Sequence, residues 1–526
     1  MNQTLLNPIR ELNPQLLREL KGRLNLRSLT TAIVLSLISQ FVIFQLVIVE
    51  SVKYTWFNVF TLLSLSSMAA VLAIGTYMLI RDLDEEERRG TLNFLRLTPQ
   101  SATRIFIGKL LGVPCLLYLA VALALPLQLG VGLLGGLNIL EILGFDFLLI
   151  MRCAVVLSIA ILIGLIRGNL FGLKPWIASA VVLMTLFTFT MIFPHAPNLK
   201  NGWDIMKLIS PSALLPYFLS EIPQHRVFDN QADYYIEELQ KLRWFYLPIG
   251  ATVFHLSLFY LANYVVGLRL IWHGIQRLFH NPTATIISKR LSYWMTACLT
   301  ILCLGFSVQN FKFLDYQVLS SQIILLFLIL VPILIPHRST VQDWLQYTPG
   351  KFTKKANLIS DLIWGEKSPA VVAIAINLGI ASVPISFFAL FSNDSWGNKS
   401  TVVFGLLLNA SFILVCASIG QLMLLMKNRR RTLGTTIVLS AIVIAPPLVS
   451  NVLGFYLYSN PEIFMFSAFS FLGVEYASLS ITLISLVSQT LLLAVLNQQL
   501  TRKLKVMSQS TSKLSLFVLP TLHIYQ

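Results

Sequence analysis

Along this chain apolar residues fall in long, nearly unbroken blocks separated by polar stretches. A helix needs about 20 apolar residues to cross about 30 Å of hydrocarbon at 1.5 Å per residue. The blocks predict twelve membrane-spanning helices. Six cover 28–49, 56–80, 108–134, 144–166, 175–193 and 244–268; six more cover 293–309, 317–335, 369–391, 401–426, 433–453 and 477–496. No segment alternates apolar and polar residues over short strands, as a membrane β-barrel requires. The expected fold is an all-α polytopic membrane protein.

Lysine and arginine orient the bundle. With both termini cytoplasmic and successive spans alternating, 30 of the 39 basic residues lie on the inner side and eight on the outer, with Arg152 inside a span. Acidic residues divide nearly evenly, as expected when only Lys and Arg set topology. A missed helix would scramble this asymmetry. Mostly polar residues occupy 1–27, and the run that follows is long enough to span, so a cleavable signal peptide is not expected. The chain then divides into a cytoplasmic interfacial segment (1–27), a first six-span half (28–292) with a cytoplasmic loop at 81–107, a second, diverged six-span half (293–497) and a cytoplasmic tail (498–526).

Composition agrees with the pattern. The 526 residues are 56% hydrophobic and 12% charged, whereas soluble domains carry about 25% charge. The net charge of +16 sits in the short flanks between spans, where topology places it, so nucleic acid is not an expected partner. The five cysteines (Cys115, Cys153, Cys298, Cys303, Cys416) all lie inside apolar blocks without metal spacing, where cysteine behaves as a small hydrophobe. The histidines form no paired ligand spacing, and no metal site is expected. The Gly-Lys pairs at Gly108-Lys109 and Gly350-Lys351 lack the earlier glycine of a phosphate-binding loop, and no cytoplasmic loop is long enough for a nucleotide-binding domain. The chain is expected to bind no cofactor and to be no enzyme.

The loop after the second block carries the chemistry. In "DEEERRGTLNFLRLTPQS", Gly90 breaks whatever precedes it and Thr91 can cap a new helix. Leu92 and Leu95, three apart, form an apolar ridge. Pro99 disfavours helical geometry at Thr98 and ends the helix, and Ser101 caps the next one. A loop that only joins spans needs about two to eight residues and no helix of its own.

These elements resemble the first cytoplasmic loop of ABC-2 type permeases, the membrane subunits of ATP-driven exporters. The matching features are an acidic-basic run (Glu85, Glu86, Glu87, Arg88, Arg89), then Gly90-Thr91-Leu92, Leu95, Thr98-Pro99-Gln100-Ser101 and Gly108-Lys109. Arg88 departs from the pattern, standing where an acid is frequent. Upstream, Asn13-Pro14 makes a good helix start, and Leu16, Leu17, Leu20 and Leu24 line one face, as in the family's interfacial connecting helix. "ISPSALLPYFLSE" resembles the short outer-leaflet helices placed before the sixth span. The resemblance implies a coupling helix seated in a separate ABC ATPase subunit, present in two copies and carrying the ATP. Leu92 and Leu95 would supply buried contact, and Glu85–Glu87 with Arg88 and Arg89 would set register. It also implies an inner-membrane location, with a homodimer or second permease as a further partner. Two other classes stay open: a secondary transporter, and a permease-derived anchor that recruits an ATPase without transporting.

The second half echoes the first. Leu345-Gln346-Tyr347-Thr348-Pro349 parallels Leu95-Arg96-Leu97-Thr98-Pro99, making Leu345, Thr348 and Pro349 candidates for a second coupling contact, although the Gly-Thr-Leu element is missing. The rival reading is one permease half with six accessory spans. Within span four, Arg152 lies six residues beyond Asp146, rotated by about 240°, so the two are poorly placed to pair; Arg152 either snorkels or finds a partner on another span, or is a candidate pathway residue. Gly164, Gly168 and Gly172 have the four-residue spacing of close helix packing, or of a turn. Asp233, Glu237 and Glu238 in the long outer loop are either a solvated face or a cation-attracting vestibule.

Overall fold

The structure is a computed structural model and describes residues 13–50, 55–166, 172–192, 209–221, 236–237, 239–307, 313–346, 355–391, 399–428 and 431–518. It is helical throughout: among the described residues no β-strand occurs, only an isolated bridge between Trp244 and Leu247. Among the described residues ten helices are long and apolar enough to cross a membrane, which makes this a multi-pass membrane protein. The fifth and seventh expected spans are also helices, Lys174–Phe187 and Lys289–Ser307, but neither is among the ten. The chain forms two compact units, Met1–Pro282 and Thr283–Gln526.

The first unit contains α1 (Pro14–Arg23), α2 (Leu26–Glu50), α3 (Thr55–Arg89), α4 (Thr91–Leu97), α5 (Ala102–Gly112), α6 (Cys115–Ala122), α7 (Leu125–Leu134), α8 (Ile139–Leu165), α9 (Lys174–Phe187), α10 (Leu215–Glu221) and α11 (Val253–His280). In α1 the Asn13 side chain accepts from the Leu16 amide at 3.1 Å, and Pro14 fills the first turn, where it loses no hydrogen bond. The third expected span is interrupted twice. It opens as α5, turns at Val113-Pro114, and breaks again at Leu123–Ala124 ahead of Pro126, whose ring clashes with the carbonyl four residues back.

α3 departs most from expectation. The apolar run ends at Ile80, yet one helix of 35 residues continues to Arg89. Glu, Arg and Leu are good helix formers, and Arg89 pairs with Glu85 one turn back. Loss of apolar character therefore ends the span without ending the helix. The charged extension adds about 13 Å of rod at 1.5 Å per residue.

α3 packs along α8 and α9, and α8 along α11. Two glycines let helices close in: a Cβ on Gly75 would stand 2.9 Å from Leu157, and one on Gly164 2.5 Å from Leu83. Gly164 is thus a packing glycine, Gly172 (φ +78°) a turn residue, and Gly168 lies outside the described residues. Phe60, Phe145 and Phe218 pack against one another across the core, tilted and edge-on, with ring centroids 6.1 and 5.8 Å apart. The "SPSALLPYF" segment forms a 3-10 turn at Pro211–Leu214 followed by α10, with Pro211–Leu214, Tyr217 and Phe218 buried. α11 starts later than expected because Trp244–Ala251 folds into tight turns, and Thr252 caps the helix.

The second unit contains α12 (Lys289–Ser307), α13 (Phe313–Leu334), α14 (Arg338–Gln346), α15 (Lys355–Trp364), α16 (Val371–Phe391), α17 (Lys399–Leu424), α18 (Arg431–Val452), α19 (Pro461–Met465), α20 (Ser470–Tyr476) and α21 (Leu479–Val518). Its core joins α13, α16 and α17 around Phe327, Ala381 and Ala417. Buried polar groups bond between helices: Asn377 Nδ2 donates to Ser292 Oγ at 3.0 Å, and Ser411 donates to Gln489. Such bonds hold helices together where hydrophobicity cannot, because lipid is as apolar as the core.

Candidate functional site: a short helix on an ionic base

α4 is seven residues long and begins at Gly90, which adopts φ +74°. That left-handed conformation reverses the chain after α3 and suits glycine because it has no Cβ. Thr91 does not cap α4. Gly90 holds the cap position, and the Thr91 hydroxyl reaches back to the Glu86 carbonyl at 3.2 Å, closing the end of α3. At the other end the Thr98 hydroxyl donates to the Leu95 carbonyl at 2.7 Å, Pro99 stops the helix, and Ser101 caps α5 by accepting from the Arg104 amide.

The helix has two apolar ridges. Leu92 and Leu95 are buried by the chain itself, whereas Phe94 is 70% and Leu97 85% exposed. The contact expected of Leu92 and Leu95 with a partner is therefore made within the chain, and the surface available to a partner is the Phe94/Leu97 ridge. Arg96 ties α4 to the end of α11: its Nε donates to the Phe279 carbonyl at 2.9 Å. Beside it, Phe106 of α5 meets the Phe279 ring edge-on at 5.2 Å, and Gln276 donates to Thr103 at 2.9 Å.

Behind α4 lies an ionic cluster. Lys109 of α5 is fully buried, with its ammonium 2.6 Å from Asp82 Oδ2, 2.9 Å from Glu86 Oε2 and 3.6 Å from Glu19 Oε1. Arg23 bridges Asp82 at 2.7 Å and Glu19 at 3.4 Å, and Arg18 reaches Glu86 at 3.2 Å. Three cations thus face three carboxylates drawn from α1, α3 and α5. The carboxylates of Asp82, Glu86 and Glu19 offset the cost of burying the Lys109 ammonium. The three carboxylates converge closely enough to hold a metal ion; the lysine ammonium already occupies their focus, so the positive charge there is the protein's own.

Two glycines let α1 reach this lysine. A Cβ on Gly108 would stand 2.8 Å from the Leu16 nitrogen, and one on Gly112 2.5 Å from Glu19 Cβ. Gly108-x-x-x-Gly112 is the small-residue spacing of close helix contact, and it flanks Lys109. A second tether lies about half a turn round α3: Lys174, opening α9, binds Asp84 at 3.0 Å and the Gly164 and Ile166 carbonyls at 3.1 and 2.9 Å. Placed at the C-terminal end of α8, it also meets the negative end of that helix's dipole.

The acidic run therefore divides between inside and outside. Glu86, with Asp82 and Asp84, is spent on internal pairs, while Glu85, Arg88 and Arg89 stay on the surface and Glu87 is half-buried. In the second unit Leu345 is buried on α14 with Val341 and Trp344, against Leu425, Leu500 and Met507. Thr348 and Pro349 lie outside the described residues, as do Asp233 and Glu238. Arg152 is buried in α8 and donates to Ser210 Oγ. The roles of Lys109, Lys174 and Phe94 had no singular signal in the sequence except the glycine pair around Lys109.

Chemically, the assembly presents an exposed apolar ridge on a short helix, flanked by α3 and α5, which ion pairs fasten to each other and to α1, and tied through Arg96 to α11. Comparison with protein-family models, with curated proteins and with solved structures finds no match.

Proposed function

We propose that the chain is the permease subunit of an ATP-driven exporter of the ABC-2 class, and that α4 couples it to a separate ATPase subunit. The observation that carries this reading is the exposed Phe94/Leu97 ridge, held on a rigid rod beyond the apolar part of α3. A connecting loop has no use for such a ridge, and an apolar pair of this kind is what a partner's pocket buries. Motor closure would move α4, and the ion pairs of Lys109, Asp82 and Glu86 would pass the movement to α1 and α3.

In the same reading the two shorter helices, α9 and α12, complete twelve spans, both termini are cytoplasmic and the membrane is the inner one. The basic-residue asymmetry supports this. ATP binds and is hydrolysed on the partner, in two copies. The described surface of α14 supports unequal coupling, because its apolar residues Val341, Trp344 and Leu345 are all buried and only polar Ser339, Asp343 and Gln346 are exposed.

A photo-crosslinking amino acid in place of Leu97 tests the contact. It should capture a nucleotide-hydrolysing subunit in native membranes, and the same probe in place of the buried Leu92 should not. Crosslinks from Leu97 to lipid alone would make α4 an interfacial helix and overturn the coupling role.

A further inference from the structure

Arg152 is the middle residue of α8, a 27-residue apolar helix, and it is 6% exposed. Asp146 is engaged elsewhere, accepting from Gln128 Nε2 at 2.6 Å. Among the described residues no carboxylate pairs with the guanidinium. A guanidinium carries five N–H donors, and the hydrogen bond found here runs from Nη1 to Ser210 Oγ. Charge at this depth in a span is costly, and is usually answered by an opposite charge or a water-filled cavity.

Hydroxyls cluster on its Ser210 partner instead. Ser210 Oγ lies 3.1 Å from Thr190 Oγ1 and 2.8 Å from Ser212 Oγ, and Tyr260 donates to the Ser210 carbonyl at 2.7 Å. Ser210, Ser212, Thr190 and Tyr260 are all buried. Tyr264, one turn further along α11, stacks on Tyr260 with ring centroids 6.0 Å apart, and its buried hydroxyl has no partner among the described residues. Both phenols lie within electrostatic reach of the guanidinium. Among the described residues the arrangement has spare donors and a positive charge, and no carboxylate bound to it.

We propose that Arg152 and these hydroxyls form an oxyanion site, and that its ligand is the acidic headgroup of an amphiphile: a phosphate, sulfate or carboxylate on an apolar tail. The guanidinium offers a planar pair of N–H groups to two oxygens, and the hydroxyls rotate to donate to the others. An amphiphile suits the location because α8 is apolar on either side of Arg152, and a free inorganic ion would have to leave its hydration shell to reach it. As a substrate contact the site rests on the permease reading. As an oxyanion site it needs no motor, so its test reads binding alone.

The test uses the full chain in phosphatidylcholine nanodiscs with radiolabelled dodecyl phosphate. Saturable binding is expected, displaced by laurate and not by uncharged dodecyl glucoside or by inorganic phosphate. Arg152→Gln should weaken it by at least about tenfold, and Arg152→Lys by less, because a hydrogen bond to a charged group is the stronger kind. Equal binding by folded Arg152→Gln overturns the site; displacement by inorganic phosphate at equal concentration overturns the amphiphile. If Arg152→Gln does not fold, Tyr264→Phe decides, since it removes only an unpartnered hydroxyl. A loss of about fivefold supports the proposal, and unchanged binding overturns it.

Discussion

Removing the Lys109 ammonium leaves three carboxylates facing one another around a buried gap. Breaking a buried ion cluster by deleting one partner costs about 3–5 kcal/mol, so Lys109→Met should sharply lower the melting temperature of the purified chain, whereas Arg89→Met, at an exposed pair, should cost less than about 1 kcal/mol of stability and barely move it. Equal effects would show that the buried cluster does not hold the unit together. Gly90→Ala is a cleaner case: a Cβ there meets nothing within 4 Å, so the cost is the left-handed backbone alone, about 1 kcal/mol, readable as a small shift in the melting curve. The backbone stops at this scale were legible. Asn13-Pro14, Thr98-Pro99 and Ser101 act locally, and the structure places a cap or a stop at each. The Lys109 cluster was not, because Glu19 and Lys109 lie far apart along the chain and no periodicity connects them. The Gly108/Gly112 spacing was its one visible trace.

Among elements, α3 and α4 show what hydropathy can and cannot say. A hydropathy profile reports partition into lipid, so it marks the end of the apolar run at Ile80 and is silent about the helix continuing to Arg89. On α4, Leu92/Leu95 and Phe94/Leu97 are both three-residue ridges, and over seven residues periodicity cannot choose between them; packing against the rest of the unit does. If the α3 extension acts as a rigid rod, Glu85→Pro, which removes an interior helix hydrogen bond at about 3 kcal/mol, should destabilise the charged end of α3 and uncouple any motor. Glu85→Ala should do neither. Amide exchange across 81–97 reads the difference, and comparable protection in both variants would contradict a continuous rod.

The whole molecule is a pair of helical units whose ten strongest spans were visible as apolar blocks, because burial in lipid demands uninterrupted apolar length. α9 and α12 are harder to place since each is a helix of lower length or hydropathy. Twelve spans predict that cysteines replacing Arg88, Asp343 and Arg502 are labelled from one side of the membrane and a cysteine replacing Ser459 from the other, in a background lacking the native cysteines. Labelling of Arg88→Cys and Arg502→Cys from opposite faces would contradict that topology. The central proposal, that α4 is gripped by a separate motor, is tested most directly by ATP hydrolysis of any co-purifying ATPase with the chain carrying Phe94→Asp and Leu97→Asp. Both residues are exposed, so the melting curve should stay put while stimulation of hydrolysis is lost; full stimulation by the folded double variant would contradict the account.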